Sequence, residues 1–197
     1  MSEQKKKYYY NGSYYTWNEL DTHLDRTLDS SFPGNNRLTR ALEMVEGERV
    51  LDMGAYIAFY SNHLARQGYK VVAAEVDPDA LEIARRKYSH PNLEIVRTDG
   101  KTLELEDESF DTVLLLEVLE HSEHPRGLVE ELHRVLKPSG TLIISVPNAA
   151  GYHTLVRTLF INMKPYLRKM ESWPRFTTDQ RDHFFYWDIF TLYRLLN

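Results

Sequence analysis

Residues 49–87, RVLDMGAYIAFYSNHLARQGYKVVAAEVDPDALEIARRK, constrain the fold of this chain more than any other stretch. An apolar run, Val50-Leu51, leads into Asp52 and Gly54. A helical pattern follows to Arg66-Gln67, with Gly68 placed to end it. A second apolar run, Val71 to Ala74, ends on Glu75. Twenty-three residues separate Asp52 from Glu75, about what one turn, one helix and one short loop consume. The order predicts strand, glycine turn, helix, strand, acidic residue, helix. Such a unit holds a nucleotide-like ligand at the edge of a parallel sheet, with Glu75 placed to take two ribose hydroxyls.

The alternation continues. Asp77-Pro78 reads as a helix start, with Asp as N-cap and Pro at the first helical position. Leu81, Ala84 and Tyr88 share one face of that helix. Leu93 to Val96 is a short strand ending near Thr98-Asp99-Gly100, and Leu103 to Ser109 is an acidic loop. Thr112 to Leu116 is a continuous apolar run suited to a strand buried on both faces. Pro125 opens a helix with Leu128, Leu132, Val135 and Leu136 in a stripe, and Lys137-Pro138-Ser139-Gly140 stops it. Thr141 to Val146 is a fifth strand. Strands alternating with helices predict an α/β fold: a doubly wound, mostly parallel sheet with helices on both faces. Right-handed crossovers then place the strand ends, and the site, along one edge.

Composition narrows the classes. At 197 residues the chain suits one α/β domain with a small appendage. The net charge of −5 gives no global basic field, which argues against nucleic acid and anionic membrane as partners. The absence of cysteine excludes a disulfide framework and thiolate metal sites, and fits a reducing compartment; a cytoplasmic location is expected. The longest apolar runs are far short of a membrane span, and MSEQKKKYYY lacks the apolar stretch of a secretory signal.

The frame Asp52-Met53-Gly54-Ala55-Tyr56-Ile57-Ala58 resembles the first motif of class I S-adenosylmethionine (SAM)-dependent methyltransferases, acidic–x–Gly–x–Gly–x–Gly after the first strand. The first glycine is present; Tyr56 and Ala58 stand where the second and third are usual. Alanine suits a helix start. The Tyr56 ring either lies along the cofactor cleft or fills it. LEIVRTDG resembles the family's third strand and adenine-side acid, SFDTVLLLEVLEH its fourth strand, and RVLKPSGTLIISVPN its fifth. The resemblance spans about residues 37–148 and implies a Rossmann-like methyltransferase fold of the small-molecule branch. It implies SAM as cofactor, with Asp52, Gly54, Ala55 and Tyr56 around the methionine part. It places Glu75 and Val76 at the ribose, Asp99 and Gly100 at the adenine, and Glu117 on the cofactor or substrate side. His121 is the candidate base for a hydroxyl acceptor, because imidazole titrates near neutrality. The spacing of His121, His124 and His133 lacks a clear carboxylate partner, so no metal site is expected. Val146-Pro147-Asn148 is not the Asn-Pro-Pro-Tyr pattern of amino-group methyltransferases.

The flanks divide the chain into an aromatic cap or lid (1–36), the core (37–148) and an aromatic-rich helical segment (149–197). Tyr8, Tyr9, Tyr10, Tyr14, Tyr15 and Trp17 crowd the first, before a helix-like TWNELDTHLDRTL. Arg37 or Arg40 could meet the SAM carboxylate. The last segment interleaves Trp173, Phe176, Phe184, Phe185, Tyr186 and Trp187 with basic residues, suiting a substrate wall or a homodimer face. The antiparallel strands that usually complete this family's sheet have no candidate here, and an uncovered edge invites association. Two functions follow. One is SAM-dependent methylation of a small molecule, at oxygen. The alternative is an inactive relative that has lost the cofactor through the altered turn and serves as a binding or scaffolding protein. A dinucleotide enzyme would need Gly-x-Gly-x-x-Gly after the first strand, and it is absent.

Overall fold

A computed structural model describes residues 7–10, 13–31, 37–148 and 187–197. The βαβ pattern forms as its residues predict. Strand β3 (Arg49–Met53) is followed by α3 (Phe59–Arg66), β4 (Lys70–Glu75) and α4 (Pro78–Lys87). Helix α3 stops where Gly68 takes φ +104°, and the Asp77 carboxylate caps α4 by accepting from Asp79 N at 2.9 Å. Strand β5 (Leu93–Arg97), β6 (Phe110–Leu116), a 3₁₀ turn (Leu119–His121), α5 (Pro125–Val135) and β7 (Leu136–Ser145) complete the core.

The five strands lie in the order β5-β4-β3-β6-β7, all parallel. The chain builds outward from β3 to β5, then jumps back to β6 beside β3. That reversal is the topological switch point, where the strand ends part and leave a crevice. The three central strands, β4, β3 and β6, are buried on both faces. Leu51, Met53, Val113 and Leu115 pack on Leu128, Leu132 and Val135 of α5. Val50, Val71, Leu114 and Ile143 face Leu64 and Ala65 of α3 with Ala41 and Val45, the former on α2 (Arg37–Glu43) and the latter just beyond it. Ala73, Ala58 and Ala84 form a close-packed seam toward α4. The doubly wound parallel sheet is therefore present.

Three features depart from the sequence reading. Strand β7 begins at Leu136, not after the turn: Phe110 pairs with Leu136 and Thr112 with Thr141, so Lys137 to Gly140 bulge out of a continuing strand. Asp111 sits opposite that bulge, its Oδ1 accepting from Lys137 Nζ at 2.5 Å and its Oδ2 from the Glu48 and Arg49 amides at 3.0 and 2.9 Å. Second, the acidic loop is clamped by Arg134, which donates to the carbonyls of Leu103 and Leu105 at 2.9 Å each and to the carboxylates of Asp107 and Glu131. Third, the N-terminal tyrosines form a hairpin. Strand β1 (Lys7–Tyr10) pairs antiparallel with β2 (Ser13–Thr16), Tyr8 opposite Tyr15 and Tyr9 opposite Tyr14. Helix α1 (Trp17–Ser31) follows directly. The Asn-Gly between the tyrosine runs is the hairpin signal in the sequence.

After Asn148, the described chain resumes at Trp187, which bridges back to Asn148 and is buried against the α5 face. Helix α6 (Ile189–Leu196), boxed by Asp188 and Thr191, lays Leu192 and Leu195 on the same core. The expectations about closing strands, and most of the aromatic segment, fall on residues 149–186, outside the described residues. Among the described residues no helix is long and apolar enough to cross a membrane.

Candidate functional site

The turn after β3 decides whether the altered motif can work. Gly54 has φ +76°, Tyr56 +51° and Ala58 +57°. Every second residue is left-handed, so tyrosine and alanine hold the conformation that glycines ordinarily supply. Such a conformation costs an L-residue roughly 1–2 kcal/mol. It persists here because the turn is held from several sides. The Gly54 and Ala55 amides donate to the Ala74 carbonyl at 2.8 and 3.1 Å, and Ala58 N donates to the Ala55 carbonyl at 2.8 Å. Gly54 itself is irreplaceable on packing grounds: a Cβ there would lie 2.4 Å from Val118 Cγ2.

In front of this turn lies a cleft of about 470 Å³, between the ends of β3 and β6. It is in the size range of small-molecule sites. Gly54, Tyr56, Glu75, Val76, Asp99, Gly100, Glu117 and His121 line it, so eight of the ten residues singled out from the sequence converge on one site. Tyr56 stands in its wall. Asp52 and Ala55 are not among the lining residues. Strand alternation explains Asp52: Met53 reaches the cleft, and its neighbour points to the opposite face, where Asp52 Oδ2 accepts from Ser61 Oγ of α3 at 2.6 Å. Burial pushes the Asp52 carboxyl up to about 6, against the pull of the Ser61 hydrogen bond and with a further push from the Glu75 charge. Ala55 packs toward the alanine seam. Arg40 is likewise not among the lining residues.

Glu75 is buried at the end of β4. Its Oε2 accepts from Tyr56 N at 2.6 Å, and its Oε1 from Val76 N and Asp77 N at 2.7 and 2.9 Å. A carboxylate offers about four acceptor positions, so three amide bonds orient it and leave capacity for a hydroxyl. Asp99 follows β5. Its Oδ1 accepts from Lys101 N and Thr102 N, both at 2.8 Å, and these bonds, that of Thr102 foremost, hold its carboxyl below the usual range. Gly100 turns at φ +76°, in contact range of Val76.

On the other side, Glu117 leaves β6 with φ +58°. Its amide donates to the Ser145 carbonyl at 2.9 Å and its Oε1 accepts from Ser145 Oγ at 2.8 Å, lashing the ends of β6 and β7 together. The strained exit drives Val118 onto Gly54 and carries the chain into the 3₁₀ turn that presents His121. Sequence reasoning missed Met53, Lys101, Val118, Ser122, Glu123, His124 and Leu128 in the wall. Proximity to His121 was the available signal for residues 122–124. Proximity to Gly100 was the same signal for Lys101, while Leu128 enters through tertiary packing. Among the described residues, no group of His, Cys, Asp and Glu is placed to hold a metal ion.

Residues 51–144 match the family model for the methyltransferase domain. Over this region the chain is similar to a methyltransferase domain. Among curated proteins, the chain is 37% identical over 134 residues to a demethylmenaquinone methyltransferase of Clavibacter sepedonicus, covering 65% of this chain and 55% of that protein. It is 32% identical over 122 residues to a mitochondrial ubiquinone biosynthesis O-methyltransferase of Schizosaccharomyces pombe, covering 59% of this chain and 41% of that protein. The chain therefore spans about half the length of these relatives. Among solved structures, a SAM-dependent methyltransferase of Thermotoga maritima superposes with a TM-score of 0.64 at 16% identity, over 91% of this chain and 75% of that one. At that identity the likeness speaks for the fold alone.

Proposed function

We propose that the methyltransferase domain transfers a methyl group from SAM to an oxygen of a small-molecule acceptor. The observation that carries this reading is the convergence of Glu75 and Asp99, each at a strand end, on one cleft at the switch point. The residues fit the cofactor. Glu75 would accept from the ribose hydroxyls, Asp99 from the adenine amino group, and the close approach at Gly54 would admit the methionine part against main chain. The bound sulfonium supplies an electrophilic methyl group. Displacement at such a carbon needs little acid or base help on the leaving side, so orientation provides much of the acceleration.

His121 would take the proton of a hydroxyl acceptor as the oxygen attacks. Val118 and Leu128 beside it give an apolar wall for the body of the acceptor. The relative named a ubiquinone biosynthesis O-methyltransferase supports an oxygen acceptor.

Calorimetric titration with SAM and with S-adenosylhomocysteine tests the reading. Micromolar binding is expected. Glu75→Ala should weaken it by about 1–3 kcal/mol, the scale of a buried partner removed. A folded sample that binds neither compound would sink the proposal. His121→Ala should lower kcat by about 10²–10⁴ with SAM affinity unchanged; unchanged kcat would remove His121 from the chemistry.

A further inference from the structure

The side chain that departs most from the family motif does not hang idle in the cleft. Tyr56 belongs to two structures at once. It lines the cleft, and it packs into an aromatic and aliphatic cluster formed by Leu20, Ile57, Ala80 and Ile83 with Tyr15, Trp17 and Phe59. Tyr15, Trp17 and Leu20 come from the hairpin and α1, the N-terminal cap. Leu20 is fully buried there. Beyond the packing of Leu20 on Ala80 and Ile83, two further contacts seat the cap on α4: the Arg86 guanidinium lies 5.3 Å from the Trp17 ring, and Lys87 Nζ meets Asp21 Oδ1 at 2.6 Å.

The cap thus bears on two segments, residues 56–59 of the turn and helix α4. Glu75 is held between them. Its Oε2 is bonded to the amide of Tyr56, and its Oε1 to the amides of Val76 and Asp77 at the start of α4. None of the described cap residues lines the cleft. The cap acts from behind, as a clamp on the two supports of one carboxylate. A glycine at position 56 would give the same backbone but no handle for the cap to hold.

We propose that Tyr56 is a positioning residue through which the N-terminal cap sets the geometry of the Glu75 carboxylate, and with it the affinity of the cleft for a vicinal diol. The proposal rests on the reading of Glu75 as the ribose ligand. The cap would then tune cofactor affinity without touching the cofactor, and any ligand or partner that loosens the cap would loosen the cofactor too.

Two variants test this. Leu20→Ala cuts the link on the cap side, away from the cleft. Tyr56→Gly cuts it at the turn, in a residue that accepts φ +51° without strain. Each is compared with the unaltered chain for binding of adenosine, which carries the diol, and of adenine, which does not. Adenosine should weaken about 3–10-fold in both variants, the worth of one misplaced hydrogen bond, while adenine is unchanged. Equal losses for the two ligands, or no loss for adenosine, would overturn the proposal. Amide hydrogen exchange gives a readout that needs no ligand: in Leu20→Ala the Tyr56 amide, bonded to Glu75, should exchange at least several-fold faster. Unchanged exchange in a folded variant would refute the coupling. If the unaltered chain binds neither ligand, the functional reading fails, and the exchange result still decides whether the cap holds Glu75 in place.

Discussion

Replacing Asp52 with asparagine should stabilise the protein, and by an amount that grows with pH. Asp52 is buried, with Ser61 Oγ as its hydrogen-bond donor at 2.6 Å. Loss of hydration raises its carboxyl from an ordinary 3.8 to about 6 in the folded state. A raised carboxyl binds its proton more tightly when folded than when unfolded, so stability falls as pH climbs from about 4 to 6, and the full penalty remains above 6. Each tenfold change in acidity is worth about 1.4 kcal/mol, so the penalty is about 3 kcal/mol at pH 8 and well under 1 kcal/mol near pH 4. Asparagine cannot ionise, and its carbonyl can still accept from Ser61. Urea denaturation of both proteins across pH 4 to 8 measures the difference. The Asp52→Asn curve should lie above the parent by about 3 kcal/mol at pH 8 and converge with it near pH 4. A gap that is independent of pH, or that widens toward acid, would refute the claim that burial governs this carboxyl.

Gly54→Ala should cost more than about 2 kcal/mol, since it combines a left-handed backbone with overpacking on Val118. Adding Val118→Ala should recover the packing share but not the backbone share, by denaturant titration of the double variant. Ala58→Gly should change stability by less than about 1 kcal/mol, because relief of the left-handed strain offsets the lost methyl and the added chain entropy. Ala58→Val should cost at least about 2 kcal/mol at the same position, and equal effects of the two would disprove the strain argument. Asp111 is held down to about 2 by the Lys137 hydrogen bond, then by the Arg49 and Glu48 amides. Its depressed value means its contribution is present above about pH 4 and is lost as pH falls through 2. Discounted for solvent screening, Asp111→Ala should cost about 1 kcal/mol at pH 7 and little at pH 2, read from thermal melts at the two values.

Much of this protein is written locally. Val50-Leu51, Val71 to Ala74 and Thr112 to Leu116 are apolar without alternation because each strand is covered on both faces, so their pattern alone specifies a parallel sheet with helices on both sides. The spacing from Asp52 to Glu75 is set by the length of one turn and one helix, and it places two acids at neighbouring strand ends. That spacing points to Glu75; the rest of the candidate site was named from the family resemblance. Other features depend on partners distant in the chain. No local signal tells that Glu75 lines the cleft while Asp52 does not: the register puts both on one face of the sheet, but Asp52 is taken up by Ser61 of α3 while Glu75, at the strand's end, meets the amides of Tyr56, Val76 and Asp77. Arg134 looks like an ordinary helix-end cation until the acidic loop folds over it. Whether a tyrosine in a glycine turn fills the cleft or walls it cannot be read from the turn. In the structure the residue lines the cleft and packs on a cluster that includes Leu20, more than 30 residues upstream. The sequence by itself determined the order of strands and the acids at their ends, because those follow from periodicity and spacing. Tertiary structure alone decided the direction of each side chain and the backbone that Tyr56 can hold, because both depend on what packs against them.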